Sequence, residues 1–388
     1  MRLGFERLLK ILFLIRSLGS GGAERQLATL ALEMAKRRHV VHILTFYTDG
    51  AYEAELNAAG VTVVCLQKKN RWDLLPFARR MVAAIRRVRP DVIYSYMPGA
   101  NILAALTKPF FGGIPLVWGI RASNLDPSIY DDWIVSVSLR FEAALSHCAD
   151  RIIANSNAGK SAAVASGFPG ARICVIPNGI DTTRFAIDPD ARRHFRERYA
   201  SHSQEKLVGL VGRLDPMKNH DLFIHAAALL KRQRSDVRFI CVGVGPPAYA
   251  ENLMLRALQA GLGHSIMWTG KIDDMRAVYN GLDLLCLASL TGEGFPNVVG
   301  EAMACGTPCV VNDVGDAAEV VGSLGIVLSP ISKESLAKAI EESLSVRHDA
   351  RALRARITEN FPVERLYGET VRVLTELRKT HRGKDAGS

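Results

Sequence analysis

The chain has 388 residues, 48% of them apolar and 23% charged, with 32 Gly, 16 Pro and a net charge of +10. That balance is typical of a globular protein of about two domains, at roughly 100–200 residues each, and excludes a disordered, collagenous or wholly coiled-coil chain. The weakly polar stretch Ile102–Trp118 is interrupted by Lys108, Pro109, Gly112, Gly113 and Pro115, so it is not read as a membrane span.

Short apolar runs alternate with helical patterns from the start. Lys10–Ile15 predicts a strand, and its apolar part is too short for the core of a secretion signal. Ala23–Lys36 then predicts a helix, Val40–Phe46 a strand, Ala51–Ala59 a helix and Val61–Leu66 a strand. Lys68–Arg89 follows, with eight basic residues and one acid, Asp73, interleaved with apolar residues near helical spacing. It predicts a basic amphipathic helix. One face would pack on a sheet, and the other would suit an anionic phospholipid surface or a pyrophosphate-linked acceptor. No base-stacking aromatics interleave with the charges, so nucleic acid is not expected as a partner. Next come the strand Val92–Tyr94, a helix from Ala100, the strand Leu116–Ile120, the helix Ile134–His147 and the strand Arg151–Ala154.

A charged, turn-rich join is expected at Asp181–Ser203, and a second series follows it. Its strands are Lys206–Val211, Arg238–Val242, Ile266–Thr269, Leu284–Leu287, Pro308–Asn312 and Gly325–Leu328. Its helices are His220–Arg232, Tyr249–Ala260, Met275–Asn280 and Asn297–Ala304. Such alternation implies parallel strands with crossover helices. The expected fold is therefore α/β, two doubly wound Rossmann-like domains facing a cleft, over residues 1–182 and 183–361. Residues 362–388 add a helix, Pro362–Arg378, that crosses back to the first domain, and a basic tail. Ligands of such domains bind at the carboxyl ends of the strands.

Residues 1–182 carry 22 Lys/Arg against 14 Asp/Glu, and the remainder 27 against 25, so the positive excess is mainly N-terminal. The seven cysteines include no C-x-x-C pair, and Cys65, Cys174, Cys241 and Cys286 lie in apolar runs expected to be buried strands. Free thiols in a reducing cytosol are expected.

Three loops carry the chemistry. Gly19-Ser20-Gly21-Gly22-Ala23-Glu24-Arg25 follows the first strand and opens a helix, where backbone N–H groups can meet an anion. It lacks G-x-G-x-x-G spacing, and no clear acid closes the second strand to hold a ribose. Gly212-Arg213-Leu214-Asp215-Pro216-Met217-Lys218-Asn219 places two cations on one loop, a pairing that suits a diphosphate. Glu293-Gly294-Phe295-Pro296-Asn297-Val298-Val299-Gly300-Glu301 sets two carboxylates around a helix start. The N–H groups of Gly294–Val298 suit phosphate oxygens, and the carboxylates suit sugar or ribose hydroxyls. Asp188-Pro189-Asp190 has the form of a metal motif but lies in the join, so no metal is expected there. His220 and His225 are expected to be ordinary helix residues.

The ordered set resembles the retaining glycosyltransferases of family four, with the GT-B fold, over essentially the whole chain. The matching elements are Gly21-Gly22-Ala23-Glu24, Asn178-Gly179-Ile180-Asp181, Val211-Gly212-Arg213 with Lys218, Glu293…Glu301 and the C-terminal helix. The resemblance implies that Arg213 and Lys218 hold the donor diphosphate and stabilise it as it leaves. It implies that Glu293 touches the transferred sugar and Glu301 the ribose. Gly21 and Gly22 would border diphosphate and acceptor, and the turn at Lys271–Ile272 would meet the base. Where many relatives carry a His after the strand matching Leu116–Ile120, this chain has Arg121. A guanidinium cannot accept a hydroxyl proton, but it can stabilise a leaving phosphate.

The expected function is a cytoplasmic, metal-independent, retaining hexosyltransferase, peripheral at the inner face of the cell membrane. It would use a nucleotide-sugar donor and a lipid-linked or polysaccharide acceptor, with no cofactor. The alternatives are a nicotinamide-dependent oxidoreductase, disfavoured by the missing glycine fingerprint, and a non-catalytic sugar-nucleotide-binding subunit, which would be expected to have lost a motif residue. A sugar-nucleotide epimerase would have no use for the glycine loop or the basic helix.

Overall fold

The computed structural model describes residues 8–19, 21–48, 50–70, 72–123, 133–200 and 202–385. They form two compact units. Unit 1 takes its residues from Met1–Ser123, Asp131–Gly179 and Val363–Ser388, and unit 2 from Ile180–Pro362.

Unit 1 contains β1 (Lys10–Ile15), α1 (Gly22–Lys36), β2 (Val40–Thr45), α2 (Glu53–Ala58), β3 (Thr62–Cys65), α3 (Leu75–Val88), β4 (Val92–Tyr96) and α4 (Pro98–Thr107). It continues through β5 (Leu116–Ile120), α5 (Trp133–Leu145), β6 (Arg151–Ala154), α6 (Asn157–Ala165) and β7 (Ile173–Val175). The seven strands are parallel, in the order β3-β2-β1-β4-β5-β6-β7. β1 is almost wholly apolar because helices cover both faces of a parallel sheet. Its Phe13 and Ile15 share one core with Leu27 and Leu30 of α1, while Leu12 and Leu14 share the other with Phe77, Met81 and Ile85 of α3.

Unit 2 begins with α7 (Pro189–Tyr199), β8 (Lys206–Val211), α8 (His220–Lys231), β9 (Val237–Val242), α9 (Pro247–Gln259), β10 (Ile266–Gly270) and α10 (Met275–Gly281). Then come β11 (Leu284–Leu287), α11 (Asn297–Ala304), β12 (Cys309–Asn312), α12 (Ala317–Val321), β13 (Ile326–Leu328), α13 (Lys333–Ser345) and α14 (Ala350–Asn360). Its six parallel strands run β10-β9-β8-β11-β12-β13. The last helix, α15 (Val363–Asp385), belongs to unit 1. There Leu366, Tyr367, Val371 and Leu374 join the α1 core, and the Tyr367 hydroxyl lies 2.8 Å from His39 Nε2.

Several elements depart from the sequence expectation. The stretch read as a turn-rich join contains α7, whose start is set by Asp188 accepting from the backbone N–H of Asp190 and Ala191, with Pro189 in the first turn. Arg192 and Arg196 of α7 then grip Asp283 at 2.7 and 2.8 Å. Asp188 is thus a helix cap that also pairs with Arg276. β7, α6, α12, α13 and α14 also went unpredicted, and α15 continues past Arg378 to Asp385. All seven cysteines are free, although Cys65 and Cys174 are only partly buried because their strands lie at the two edges of the sheet. Among the described residues no helix is long and apolar enough to cross a membrane.

Candidate functional site

In a doubly wound sheet the natural ligand position lies beyond the carboxyl ends of the two strands where the order reverses. In unit 2 those strands are β8 and β11. The loop after β8 carries Arg213 and Lys218; the loop after β11 carries Ser289 and Glu293.

Both loops are tightly built. Asp215 accepts from the Met217 N–H at 3.0 Å and starts a single 3-10 turn over Pro216–Lys218, and Asn219 closes it in the left-handed region at φ +54°. Gly243, at φ +148°, lets β9 approach the same loop; a Cβ there would stand 1.9 Å from the Gly212 oxygen. The Lys218 stem lies over Gly212, and its ammonium donates to Glu293 Oε1. Ser289 donates to the same oxygen at 2.7 Å. Lys218 and Glu293 therefore close the switch point as a largely buried ion pair. Arg213 points elsewhere: its side chain is 65% exposed and pairs with Asp215 at 3.0 Å.

The Glu293…Glu301 segment is almost wholly buried. Pro296 precedes the first residue of α11, Asn297. Gly315, at φ +61°, passes so close that a Cβ would meet the Glu293 and Gly294 oxygens at 2.5 and 2.4 Å, and the Asp316 N–H donates to Gly294 O at 2.9 Å. The Phe295 ring packs edge-on against Phe361 at 5.2 Å, so its side chain is committed to the core. Val298 and Ile272 likewise lean on the core. Glu301, on the second turn of α11, is buried and accepts from the Tyr279 hydroxyl at 2.7 Å. His220, at the start of α8, is fully buried with no partner on either ring nitrogen, and burial, then Lys218, push its pKa down to about 4 against an opposing pull from Asp215.

In unit 1 the order reverses between β1 and β4. Gly21 precedes the first residue of α1, Gly22, and the Glu24 carboxylate folds back so that a Cβ on Gly21 would meet it at 2.2 Å. Ser20 lies outside the described residues. Gln26 of α1 holds Gly179 in both directions, accepting its N–H at 3.2 Å and donating to its carbonyl at 2.9 Å. Arg121, just past β5, donates to the Tyr94 hydroxyl at 2.5 Å and to Asn178 Oδ1 at 3.4 Å, and its guanidinium lies 4.2 Å from the Tyr96 ring centroid. Met97, after β4, has φ +73° and ψ 159°, a costly conformation for a side-chain-bearing residue and one that concentrates at functional loops.

Within unit 2, then, Lys218 and Glu293 are brought together, while Arg213 stands apart on the same loop. Ser289, Tyr279, Tyr94, Tyr96 and Met97 were not singled out from sequence. Tyr94-Ser95-Tyr96 carried a usable signal, since residues two apart on a strand share a face.

Two doubly wound parallel sheets, with a final helix returning to the first, define the GT-B class of glycosyltransferase folds. The chain belongs to glycosyltransferase family 4. The Glycosyltransferase Family 4 profile matches residues 20–184 and the Glycosyl transferases group 1 profile residues 191–361. The chain is 34% identical over 200 residues to a GDP-mannose-dependent alpha-(1-6)-phosphatidylinositol monomannoside mannosyltransferase of Mycolicibacterium smegmatis, an alignment covering 49% of this chain and 52% of that one. The chain thus spans about half the length of that relative. It is 27% identical over 312 residues to an undecaprenol-linked-glycan alpha-1,4-N-acetyl-D-galactosaminyltransferase of Campylobacter jejuni, covering 76% and 77% of the two chains. Among solved structures, Anabaena HepE in complex with UDP-glucose superposes with a TM-score of 0.83 at 26% identity, covering 95% of this chain and all of that one.

Proposed function

We propose that this protein is a retaining glycosyltransferase that moves a sugar from a nucleotide-sugar donor to a lipid-linked or polysaccharide acceptor without a metal ion. The observation that carries the reading is the Lys218–Glu293 pair across the switch point of unit 2. It holds a cation and a carboxylate in the two loops where a donor's diphosphate and sugar would lie. Family membership and the activities of the two transferase relatives support the same reaction class.

In this reading the diphosphate takes Lys218 away from Glu293, and Glu293 turns its freed capacity to the sugar hydroxyls. The exposed Arg213 swings from Asp215 onto the same diphosphate, and the N–H groups from Gly294 to Val298 complete its shell. Glu301 accepts ribose hydroxyls as well as Tyr279, since an ionised carboxylate offers about four lone-pair positions. The bond between the anomeric carbon and the diphosphate oxygen breaks, and its electron pair leaves on the diphosphate. The acceptor hydroxyl oxygen forms the new bond on the same face, and its proton passes to the departing diphosphate. Lys218, Arg213 and the α11 N-terminus stabilise the charge that develops, which is the work a divalent ion does elsewhere. Gly21 and Gly22 border the acceptor, and Arg121 supplies a guanidinium for an anionic group.

The test is hydrolysis of a panel of sugar nucleotides, followed by transfer measured in excess chelator. One donor should be turned over well above the rest, with the rate unchanged by chelator. Activity restored only by a divalent ion would overturn the metal-free reading, and reduction of a nicotinamide cofactor would point to the oxidoreductase alternative.

A further inference from the structure

The turn ahead of α3 is built to hold large apolar side chains in water. Trp72 is 81% exposed, Leu75 66% and Leu74 52%. Asn70 Oδ1 accepts from the N–H of Trp72 at 2.9 Å and of Asp73 at 3.1 Å. Asp73 Oδ2 accepts from the Lys69 N–H at 3.0 Å and from Arg80 Nη2 at 2.6 Å, and Arg80 Nε donates to Leu66 O at 3.0 Å. The turn is therefore pinned at both ends. The segment's one acid is also paired: the Lys69 N–H and then Arg80 hold the Asp73 carboxyl below its usual range, so it stays ionised against Arg80.

α3 divides its surface sharply. Phe77, Met81 and Ile85 are committed to the core of unit 1, so the apolar stripe is not free to enter a membrane. The outward positions are Leu75, Pro76, Arg79, Ala83, Arg86 and Arg87. Arg80 is engaged by the turn, and Arg86 spends its Nε on Phe110 O at 3.1 Å. An apolar tip thus stands ahead of a basic stripe, with Lys69 beside it. In unit 2, by contrast, the exposed Met254, Leu255 and Leu258 of α9 have as their nearest cation on that helix Arg256, already paired with Asp221 at 2.9 Å.

We propose that this turn and the outer stripe of α3 are the element by which the protein docks on an anionic bilayer. Trp72, Leu74 and Leu75 enter the headgroup region, and Lys69, Arg79 and Arg87 hold the surface. An indole with an apolar body and one N–H donor suits the headgroup boundary, and cations beside it supply the charge complement. The tip is small, so docking is reversible and depends on both parts. This inference stands apart from the proposed reaction, because vesicle binding needs no donor and donor hydrolysis needs no vesicle.

The experiment is cosedimentation with phosphatidylglycerol/phosphatidylcholine vesicles and with pure phosphatidylcholine vesicles, alongside tryptophan emission. Wild type should bind the anionic vesicles at least tenfold better, release in high salt, and show a blue shift that Trp72→Phe loses. The variant Trp72→Ser/Leu74→Ser/Leu75→Ser and the variant Arg79→Glu/Arg87→Glu should each lose at least tenfold in binding while keeping wild-type melting and donor hydrolysis. Absence of wild-type binding at low salt overturns the proposal. So does equal binding by the serine variant, which would leave only diffuse electrostatics. A serine variant that changes the oligomeric state but not vesicle binding would assign the tip to contact between copies instead.

Discussion

In unit 2 the loops after β8 and β11 meet through an ion pair, Lys218 to Glu293, with Ser289 on the same carboxylate oxygen. In unit 1 the ends of β4 and β5 meet through a cation resting on aromatic faces, Arg121 over Tyr96 and bonded to Tyr94. One architecture thus carries two kinds of strand-end chemistry. A paired cation and anion can each be exchanged for a ligand group of the matching charge. A guanidinium on buried tyrosines is oriented by its own protein and keeps its charge for whatever approaches. The two units also differ in their buried titratable groups. Glu142 of α5 is buried in unit 1 with Asn101 Nδ2 donating to it at 2.8 Å, and desolvation outweighs that bond and raises its pKa to about 7. His220 in unit 2 is shifted the opposite way, down to about 4.

The largest test of the contrast is Lys218→Ala. Removing one charge-stabilising donor costs about 10²–10³-fold in turnover. It also leaves Glu293 buried beside Ser289 alone among the partners described above, so the melting temperature should fall as well. Adding Glu293→Gln should restore melting but not turnover. If the double variant recovers both, the pair is scaffold and the phosphate site lies elsewhere.

The second test is pH. His220 has a folded-state pKa below its unfolded value, so the unfolded chain binds more protons between about pH 4 and 6.5, and unit 2 loses stability as pH falls through that window. Glu142 has a folded-state pKa above its unfolded value, so its contribution is full below about pH 4.5 and is lost as pH rises through about 7. Each shift corresponds to roughly 3 kcal/mol in opposite directions. Hydrogen exchange resolved by unit, followed from pH 4.5 to 7.5, should show unit 2 gaining protection while unit 1 loses it. Glu142→Gln should flatten only the unit 1 response, and parallel responses would refute the contrast.

Three smaller effects sharpen it. Arg213→Ala should cut turnover by about 10–100-fold, as expected for one hydrogen bond to a charged group, with melting nearly unchanged because its partner Asp215 forms only a surface pair. Arg121→Lys keeps the charge but loses the flat fork, and should cost unit 1 about 0.5–2 kcal/mol by chemical denaturation. Tyr279→Phe, read as nucleotide affinity, should be the mildest, at about 1 kcal/mol.

The alternating strands were legible because each parallel strand is a nearly unbroken apolar run, as in Lys206–Val211. The Glu293…Glu301 motif was legible because its glycine, proline and carboxylates lie together in sequence. What escaped was what depends on distance along the chain. The Lys218–Glu293 bond joins residues 75 positions apart, and Tyr279 reaches Glu301 across 22. α7 was hidden by its charge: its mean composition is polar, yet Phe195 packs against the Gly281 backbone and two arginines close on Asp283. Of the basic segment Lys68–Arg89, read from sequence as one helix, only Leu75–Val88 is helical; the residues ahead of it form the turn around Asn70 and Asp73, whose contacts with Arg80 join residues too far apart in sequence to be read from it.

α15 gives the protein a particular order of assembly. Among the described residues unit 2 is one continuous stretch, whereas unit 1 requires residues from Val363 onward to cover α1, and Gly179 lies so close to Val363 that a Cβ would meet its Cα at 2.7 Å. As the chain leaves the ribosome, unit 2 has every residue it needs before unit 1 does. Until α15 arrives, the Leu27, Leu30 and Met34 face of α1 lacks part of its cover, and His39 lacks the Tyr367 hydroxyl. The unit synthesised first is therefore the last to close, and a nascent chain stalled ahead of α15 would present an apolar surface for chaperones to recognise.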